Sequence, residues 1–375
     1  MAYFFRLPKR EDLTDHQQMA LEEINPIAIS GGAGTGKTVV SLWRHTRNIE
    51  DFNKYSVLVT FTKTLGFYLK MSAQTEEQGE KYKNSIPPSQ QIFNLKDFPF
   101  NQNWRVHEII IDEAQDLSYQ TLINIRNHTD QISYGADFRQ QLYSGTVTKK
   151  EIEELFPSNT PIELLQNFRN TYFILNFVKS ILIDFYIPQD SLDELEMIRR
   201  GLKPILFITN DNFEKELEKI VELINQYKSN THNIAILLPF GDSRYDFEQS
   251  VDKYHKALSD KGIDCSKYYN EMHIDNITIE NIHITTFKSA KGLEFDTVLI
   301  PQLHKFRNNI KNAYTVNEED YYVALTRTKT NLYLFSPYEL DFINHNSCEI
   351  ETLNNSHYNE NYTSEIEIDE DEIPF

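Results

Sequence analysis

The segment Gly31-Gly32-Ala33-Gly34-Thr35-Gly36-Lys37-Thr38 restricts this chain more than any other stretch. It follows the pattern G-x-x-x-x-G-K-[ST], stands after the apolar run Ile27-Ala28-Ile29, and leads into Val39, Val40 and Leu42 at helical spacing. Gly31, Gly34 and Gly36 permit backbone conformations that a side chain forbids, so successive N–H groups can turn inward toward an anion. The N-terminus of the following helix adds its positive dipole end. In that setting Gly31, Gly32, Ala33, Gly34, Thr35 and Gly36 cradle a triphosphate, Lys37 reaches its β- and γ-phosphates, and the Thr38 hydroxyl binds Mg²⁺. The alternative is a flexible glycine-rich loop, but strand before and helix after are the context the phosphate site needs. Such a unit requires an α/β fold with a mainly parallel sheet.

A chain of 375 residues is long enough for two core-bearing domains, and 40% hydrophobic with 25% charged residues is ordinary for a globular protein. Cys265 and Cys348 make neither a disulfide framework nor a metal pattern. No apolar run approaches the roughly 18 residues of a membrane span. The apolar part of Met1-Ala2-Tyr3-Phe4-Phe5-Arg6 is too short for a secretion signal, so the expected compartment is the cytoplasm, with no membrane partner. The net charge of −19 argues against a grip on nucleic acid by the whole surface. The imbalance is uneven, because no Lys or Arg follows Lys329 and nine acids fall between Glu349 and Glu372. Any contact with DNA must come from a local groove.

Strand-like runs at Val57–Phe61, Glu108–Asp112 and Ile132–Gly135 alternate with helical stretches, and a helix starts at Leu13–Asp15. This places a first unit over residues 1–156, with the polar stretch Gln74–Asp97 as a surface excursion. A second unit, 157–341, draws strands from Ile205–Ile208, Asn233–Pro239, Ile282–Thr286, Thr297–Ile300 and Asn331–Phe335. The Asn-, Ser- and Glu-rich remainder, 342–375, is expected to be a disordered acidic tail.

Ile109-Ile110-Ile111-Asp112-Glu113 delivers two carboxylates to the C-terminal end of a strand, where ligands bind in open α/β sheets. Asp112 can share the Mg²⁺ with Thr38, and Glu113 can orient and deprotonate the attacking water. Alone, an acidic pair after a strand is usually a solvated loop.

Gly31–Thr38 followed by Asp112-Glu113-Ala114-Gln115-Asp116 resembles the superfamily 1 DNA helicases, in particular their UvrD/PcrA/Rep branch. The other motifs of that family occur in order between residues 13 and 329. Leu13-Thr14-Asp15-His16-Gln17 is similar to the adenine-reading Q motif, Thr60-Phe61-Thr62-Lys63 to motif Ia, and Ala136–Tyr143 to motif III with Gln140 as γ-phosphate sensor. Leu165-Gln166-Asn167-Phe168-Arg169 resembles motif IV, Thr286–Phe295 motif V and Val323–Lys329 motif VI. The resemblance implies two RecA-like P-loop domains with mainly parallel sheets, ATP and Mg²⁺ as cofactors, and single-stranded DNA as partner. It implies that Phe168 stacks on the adenine, that Gly292 and Glu294 approach the nucleotide with Glu294 on the ribose, and that Arg169 and Arg327, carried by the second unit, act as arginine fingers. Phe61, Thr62, Lys63, Tyr143, Thr286 and Lys288 would face the strand, where aromatics stack on bases and Lys or Thr hold phosphates. For Phe61 and Tyr143, packing in a core is the open alternative.

Three departures qualify the resemblance. Lys288 stands where the family has His, and the Trp expected after motif III is missing after Tyr143-Ser144-Gly145. Only about 40 residues separate Leu69 from Ile109 and about 115 separate Arg169 from Thr285, too few for the family's accessory domains. The expected function is an ATP-dependent single-stranded-DNA translocase or helicase moving 3′ to 5′ as that family does. The rival is an ATP-gated DNA sensor or regulatory subunit without processive unwinding, such as the partner of a nuclease in phage defence. The final acids and Ile373-Pro374-Phe375 resemble the tip of bacterial single-stranded-DNA-binding proteins, which implies docking onto repair or replication enzymes or a nuclease.

Overall fold

The computed structural model describes residues 3, 7–52, 54–76, 86–100, 104–138, 141, 145–183, 185–242, 249–272, 278–311 and 316–353. In the first unit, α1 (Asp15–Glu22) precedes β1 (Ile27–Gly31), α2 (Lys37–Glu50), β2 (Ser56–Thr60) and α3 (Lys63–Glu76). The chain continues through β3 (Ile92–Asn94), β4 (Glu108–Asp112), α4 (Tyr119–Arg126), β5 (Ile132–Ala136), α5 (Lys149–Leu155) and β6 (Thr160–Leu164). These strands form one sheet in the order β3-β2-β4-β5-β1-β6, and every ladder in it is parallel. Every residue of β2, β4 and β5 is buried, as expected where helices cover both faces of a parallel sheet.

The second unit runs through α6 (Tyr172–Ile181), α7 (Gln189–Ile198), β7 (Ile205–Ile208), α8 (Phe213–Tyr227), β8 (Ile234–Leu238), α9 (Val251–Asp260) and β9 (Ser266–Tyr268). Then come β10 (Ile282–Thr286), β11 (Phe295–Ile300), α10 (Phe306–Lys311), α11 (Glu318–Leu325), β12 (Thr328–Ser336) and β13 (Glu349–Thr352). Its sheet has the order β13-β7-β12-β11-β8-β10-β9, again with parallel ladders throughout. Successive residues of β8 point to opposite faces. Ile234, Ile236 and Leu238 pack with Leu217, Ile220 and Ile224 of α8 and with Tyr254 of α9. Ala235 and Leu237 join Ile174, Phe177 and Val178 of α6 on the other face. That second core continues into the first unit through Leu58, Leu65, Leu69 and Ile110, so the two sheets share buried apolar surface.

A fully buried polar group anchors α1. Arg44 of α2 pairs with Glu108 at 2.8 Å and donates to the carbonyls of Glu23 (2.6 Å) and Asn25 (2.8 Å) just beyond α1. A buried ion pair is costly unless its remaining donors are satisfied, and here backbone carbonyls satisfy them.

The structure moves three of the expected boundaries. Thr160–Leu164, placed in the second unit by a division at 157, is β6 of the first sheet and pairs with β1 along its whole length. Its sequence does not announce a strand, because it carries Pro161 and mostly half-buried or exposed positions, both features of an edge strand. Arg169 therefore lies just past the first sheet, on the link between units. The excursion Gln74–Asp97 contains β3, which pairs with β2. The expected tail begins too early at 342: Ile343 and Cys348 are buried, and Glu349–Thr352 pairs with β7.

Candidate active site

The glycine-rich loop starts from β1 and closes on α2, whose N-cap Gly36 has φ 87°, a left-handed conformation that favours glycine. A side chain at Gly36 would also strike the Gln17 amide. Within the loop, the Lys37 ammonium donates to the carbonyls of Gly31 and Gly32, both at 2.9 Å. Burial lowers the Lys37 pKa, and Asp137, Glu113 and Asp112 oppose that shift.

The Thr38 hydroxyl donates to Asp112 Oδ2 at 2.8 Å, joining the loop to the end of β4. Among the described residues Asp112 Oδ1 is buried and without a hydrogen-bond partner, and the neighbouring position is Gly135, where a Cβ would lie 3.3 Å from that oxygen. Burial and the adjacent Glu113 charge both raise the Asp112 pKa. Such a carboxylate oxygen, beside a threonine hydroxyl and a glycine, fits the hard-oxygen demand of Mg²⁺. Two protein oxygens are few, which is the usual Mg²⁺ arrangement when substrate phosphates supply further ligands.

Glu113 itself has φ 58°, in the left-handed region that non-glycine residues rarely enter. It accepts from the Gln115 side-chain amide. Burial would raise its pKa, but Lys291 and Lys37 outweigh burial and keep the carboxyl ionised below its usual range. Lys291 comes from the second unit and lies 3.6 Å from Glu113 and 2.7 Å from Asp116.

The second unit and the link complete the surroundings. Phe168 N–H donates to Gly34 O and the Asn167 side chain to Ala33 O, both at 2.8 Å. Arg169 pairs with Glu294 Oε2 at 3.3 Å, and Lys329 holds Oε1 at 3.1 Å. Burial alone would raise the Glu294 pKa, but these two cations drive it well below the carboxylate range. The Arg327 guanidinium is buried and donates to Val323 O at 3.1 Å and Leu293 O at 3.4 Å. Gly292, with φ 86°, brings this loop against Leu65 of α3.

Gln17 spends its amide within the protein. Its Oε1 accepts from Thr14 N–H in a capping box, and its Nε2 donates to Thr35 O at 3.1 Å. In this conformation it braces the loop. Gln140 and Tyr143 lie outside the described residues, as do Ile373, Pro374 and Phe375.

On the surface expected to meet the strand, Phe61 packs against the first unit's core. Thr62 and Thr286 are buried, and each uses its hydroxyl to cap the following turn, on Leu65 N–H and Ser289 N–H respectively, both at 3.2 Å. Lys63 is partly exposed at the start of α3, and Lys288 lies 3.7 Å from Asp320. As site residues Lys291, Lys329 and Asn170 were missed. Each stands inside or next to a segment already singled out, but only the three-dimensional arrangement gives it a charged or carbonyl partner from a distant segment.

The loop after β1 thus lies beside the carboxylates at the end of β4 and cations of the second unit, making a candidate phosphate site. Residues 25–170 match the family model described as Schlafen group 3, DNA/RNA helicase domain, and residues 267–337 match the UvrD-like helicase C-terminal domain. A candidate ATP-dependent DNA helicase of Acanthamoeba polyphaga mimivirus is 23% identical over 245 residues, which cover 61% of this chain and 34% of that protein. The RecBCD enzyme subunit RecB of Chlamydia pneumoniae is 36% identical over 84 residues, covering 22% and 8%. The chain thus spans about a third or less of these relatives. Among solved structures, the Arterivirus nonstructural protein 10 helicase matches with a TM-score of 0.42 and 14% identity, covering 88% of this chain and 63% of that one. Both family models are thus described as helicase domains, and the mimivirus relative as an ATP-dependent DNA helicase. No described helix is long and apolar enough to cross a membrane.

Proposed function

We propose that this chain is an ATP- and Mg²⁺-dependent motor that translocates 3′ to 5′ on single-stranded DNA in the manner of the UvrD-like helicases. The observation that carries the reading is the Thr38–Asp112 hydrogen bond beside an unpartnered Asp112 Oδ1, with Glu113 next in sequence. When bound, Mg²⁺ supplies charge neutralisation to the phosphates. Thr38 and Asp112 hold it, and Lys37 leaves the carbonyls of Gly31 and Gly32 to meet a terminal phosphate. Glu113, kept ionised by Lys291 and Lys37, takes the proton of the attacking water. Arg169 and Arg327 stabilise negative charge from the link and the second sheet. An arginine in this role is worth about 10³–10⁵ in rate. Because these cations sit on different bodies, nucleotide draws the sheets together and hydrolysis releases them, giving one step along the strand.

Limited unwinding fits the same structure. The described residues between Arg169 and Thr285 serve the second sheet and its covering helices. Among the described residues no separate accessory domain remains to split a duplex junction. This also favours the rival, an ATP-gated DNA-sensing subunit acting beside a nuclease, and the acidic tip Ile373-Pro374-Phe375 would then dock such a partner.

A single-strand-stimulated ATPase assay run beside unwinding of a tailed duplex tests the proposal. Lys37→Ala abolishes hydrolysis, while Glu113→Gln binds ATP and traps the DNA-bound state. Turnover of Glu113→Gln at the wild-type rate would overturn the assignment of the base. Stimulated ATPase without unwinding selects the sensor.

A further inference from the structure

We infer that Asn170 is a positioning residue that ties the placement of Arg327 to the phosphate loop. Its side chain is fully buried, and its Nδ2 donates to Thr328 O at 2.7 Å and Thr326 O at 3.1 Å. These carbonyls stand on either side of Arg327, where α11 ends and β12 begins. An amide nitrogen carries two hydrogens, and both are used on this pair of peptide units. The amide cannot be reversed, because its oxygen would then face two carbonyl oxygens. That oxygen instead accepts from Asn167 Nδ2 at 3.3 Å.

The connection continues to the first sheet. Asn170 N–H donates to Asn167 Oδ1 at 2.8 Å, and Asn167 Nδ2 donates to Ala33 O at 2.8 Å. Two asparagines three residues apart therefore bracket Arg169. One grips the loop that receives phosphates, and the other grips the peptide that carries the second arginine. A shift of Ala33 is passed through two side-chain amides, joined by direct hydrogen bonds, to the backbone at Arg327. Serine at 170 has one hydrogen and satisfies one carbonyl. Aspartate has none to give when ionised and opposes both carbonyls.

This inference rests on Arg327 facing the phosphates, as in the proposed function. The test uses single-turnover ATP hydrolysis with saturating single-stranded DNA, beside the affinity for a fluorescent ATP analogue. Asn170→Ala lowers the rate by about 10²-fold, the cost of a misplaced catalytic group, and leaves the analogue affinity within about twofold. Asn170→Ser falls between, and Asn170→Asp is at least as slow as Asn170→Ala. In an Arg327→Ala background Asn170→Ala adds no further loss, because the group it positions is gone. The inference is overturned if Asn170→Ala and Asn170→Ser keep the wild-type rate, or if the loss recurs in full in the Arg327→Ala background. Should Asn170→Ala fail to fold, Asn170→Ser carries the same comparison. A wild-type protein without ATPase activity would instead refute the proposed function.

Discussion

The Lys291 ammonium crosses from the second unit to lie 2.7 Å from the Asp116 carboxylate of the first, with both side chains wholly removed from solvent. The pair sits beside the candidate base, so it does two things at once. It fastens the loop before β11 to the end of β4, and it sets the field in which Glu113 stays ionised.

Breaking this pair from one side removes a cation 2.7 Å from a buried carboxylate. Lys291→Met is expected to destabilise the chain by about 3–5 kcal/mol. Adding Asp116→Asn removes the opposing buried charge and recovers much of that loss. Urea unfolding of the single and double variants measures both, and equal stability of Lys291→Met and wild type would show that the pair does not hold the units together.

Gly292 combines a left-handed backbone with close approach to Leu65, whose Cβ would be 2.7 Å from an added methyl. Gly292→Ala is expected to cost about 1–2 kcal/mol for the backbone alone, and more for the clash. In a Leu65→Gly background, which removes that Cβ, the clash component disappears and the backbone component stays. The two denaturation midpoints separate these parts, and an identical penalty in both backgrounds would remove Leu65 from the account.

Asp320 gives a pH signature. Burial raises its carboxyl pKa to about 6, while Lys288 and the Asn317 N–H pull the other way. The folded state thus favours the protonated acid more than the unfolded chain does. The resulting stability is present below the ordinary aspartate range and is lost as pH rises through about 6. Asp320→Asn keeps the capping acceptor without the charge. Its advantage over wild type should therefore grow between pH 4 and 7, toward something on the order of 2 kcal/mol. A constant difference across that range, followed by thermal melts, would contradict the assignment.

The segments of the candidate site could be placed on their helix and strand from the sequence because each has a short fixed spacing. Gly36-Lys37-Thr38 opens a helix, and Asp112-Glu113 ends an apolar strand, wherever such a site is built. The edges of the sheets could not be read in this way. β3 has three residues, β6 contains Pro161, and β13 is rich in glutamate, so none shows the apolar run by which β4 announces itself. The cross-unit contacts were hidden for another reason. Nothing local in Ser289-Ala290-Lys291 indicates that the lysine will meet Asp116, 175 positions earlier. Thr62 and Thr286 were expected on the strand-facing surface because a hydroxyl can hold a phosphate, but the same hydroxyl can cap a turn, and here it does.

The margins of the two sheets also constrain how this molecule can be handled by others. A neighbouring chain joins a sheet by matching a long, flat row of free N–H and C=O groups. One margin of the first sheet is only Ile92–Asn94, and the other carries a proline that cannot donate. In the second, one margin is only Ser266–Tyr268, and the other exposes Glu349 and Glu351. Among the described residues, each of these four sides is too brief, deficient in donors or charged against strand addition. Among the described residues, a partner therefore meets side chains and loops rather than a strand edge fit for addition, and the sheets offer no seed for fibrous growth.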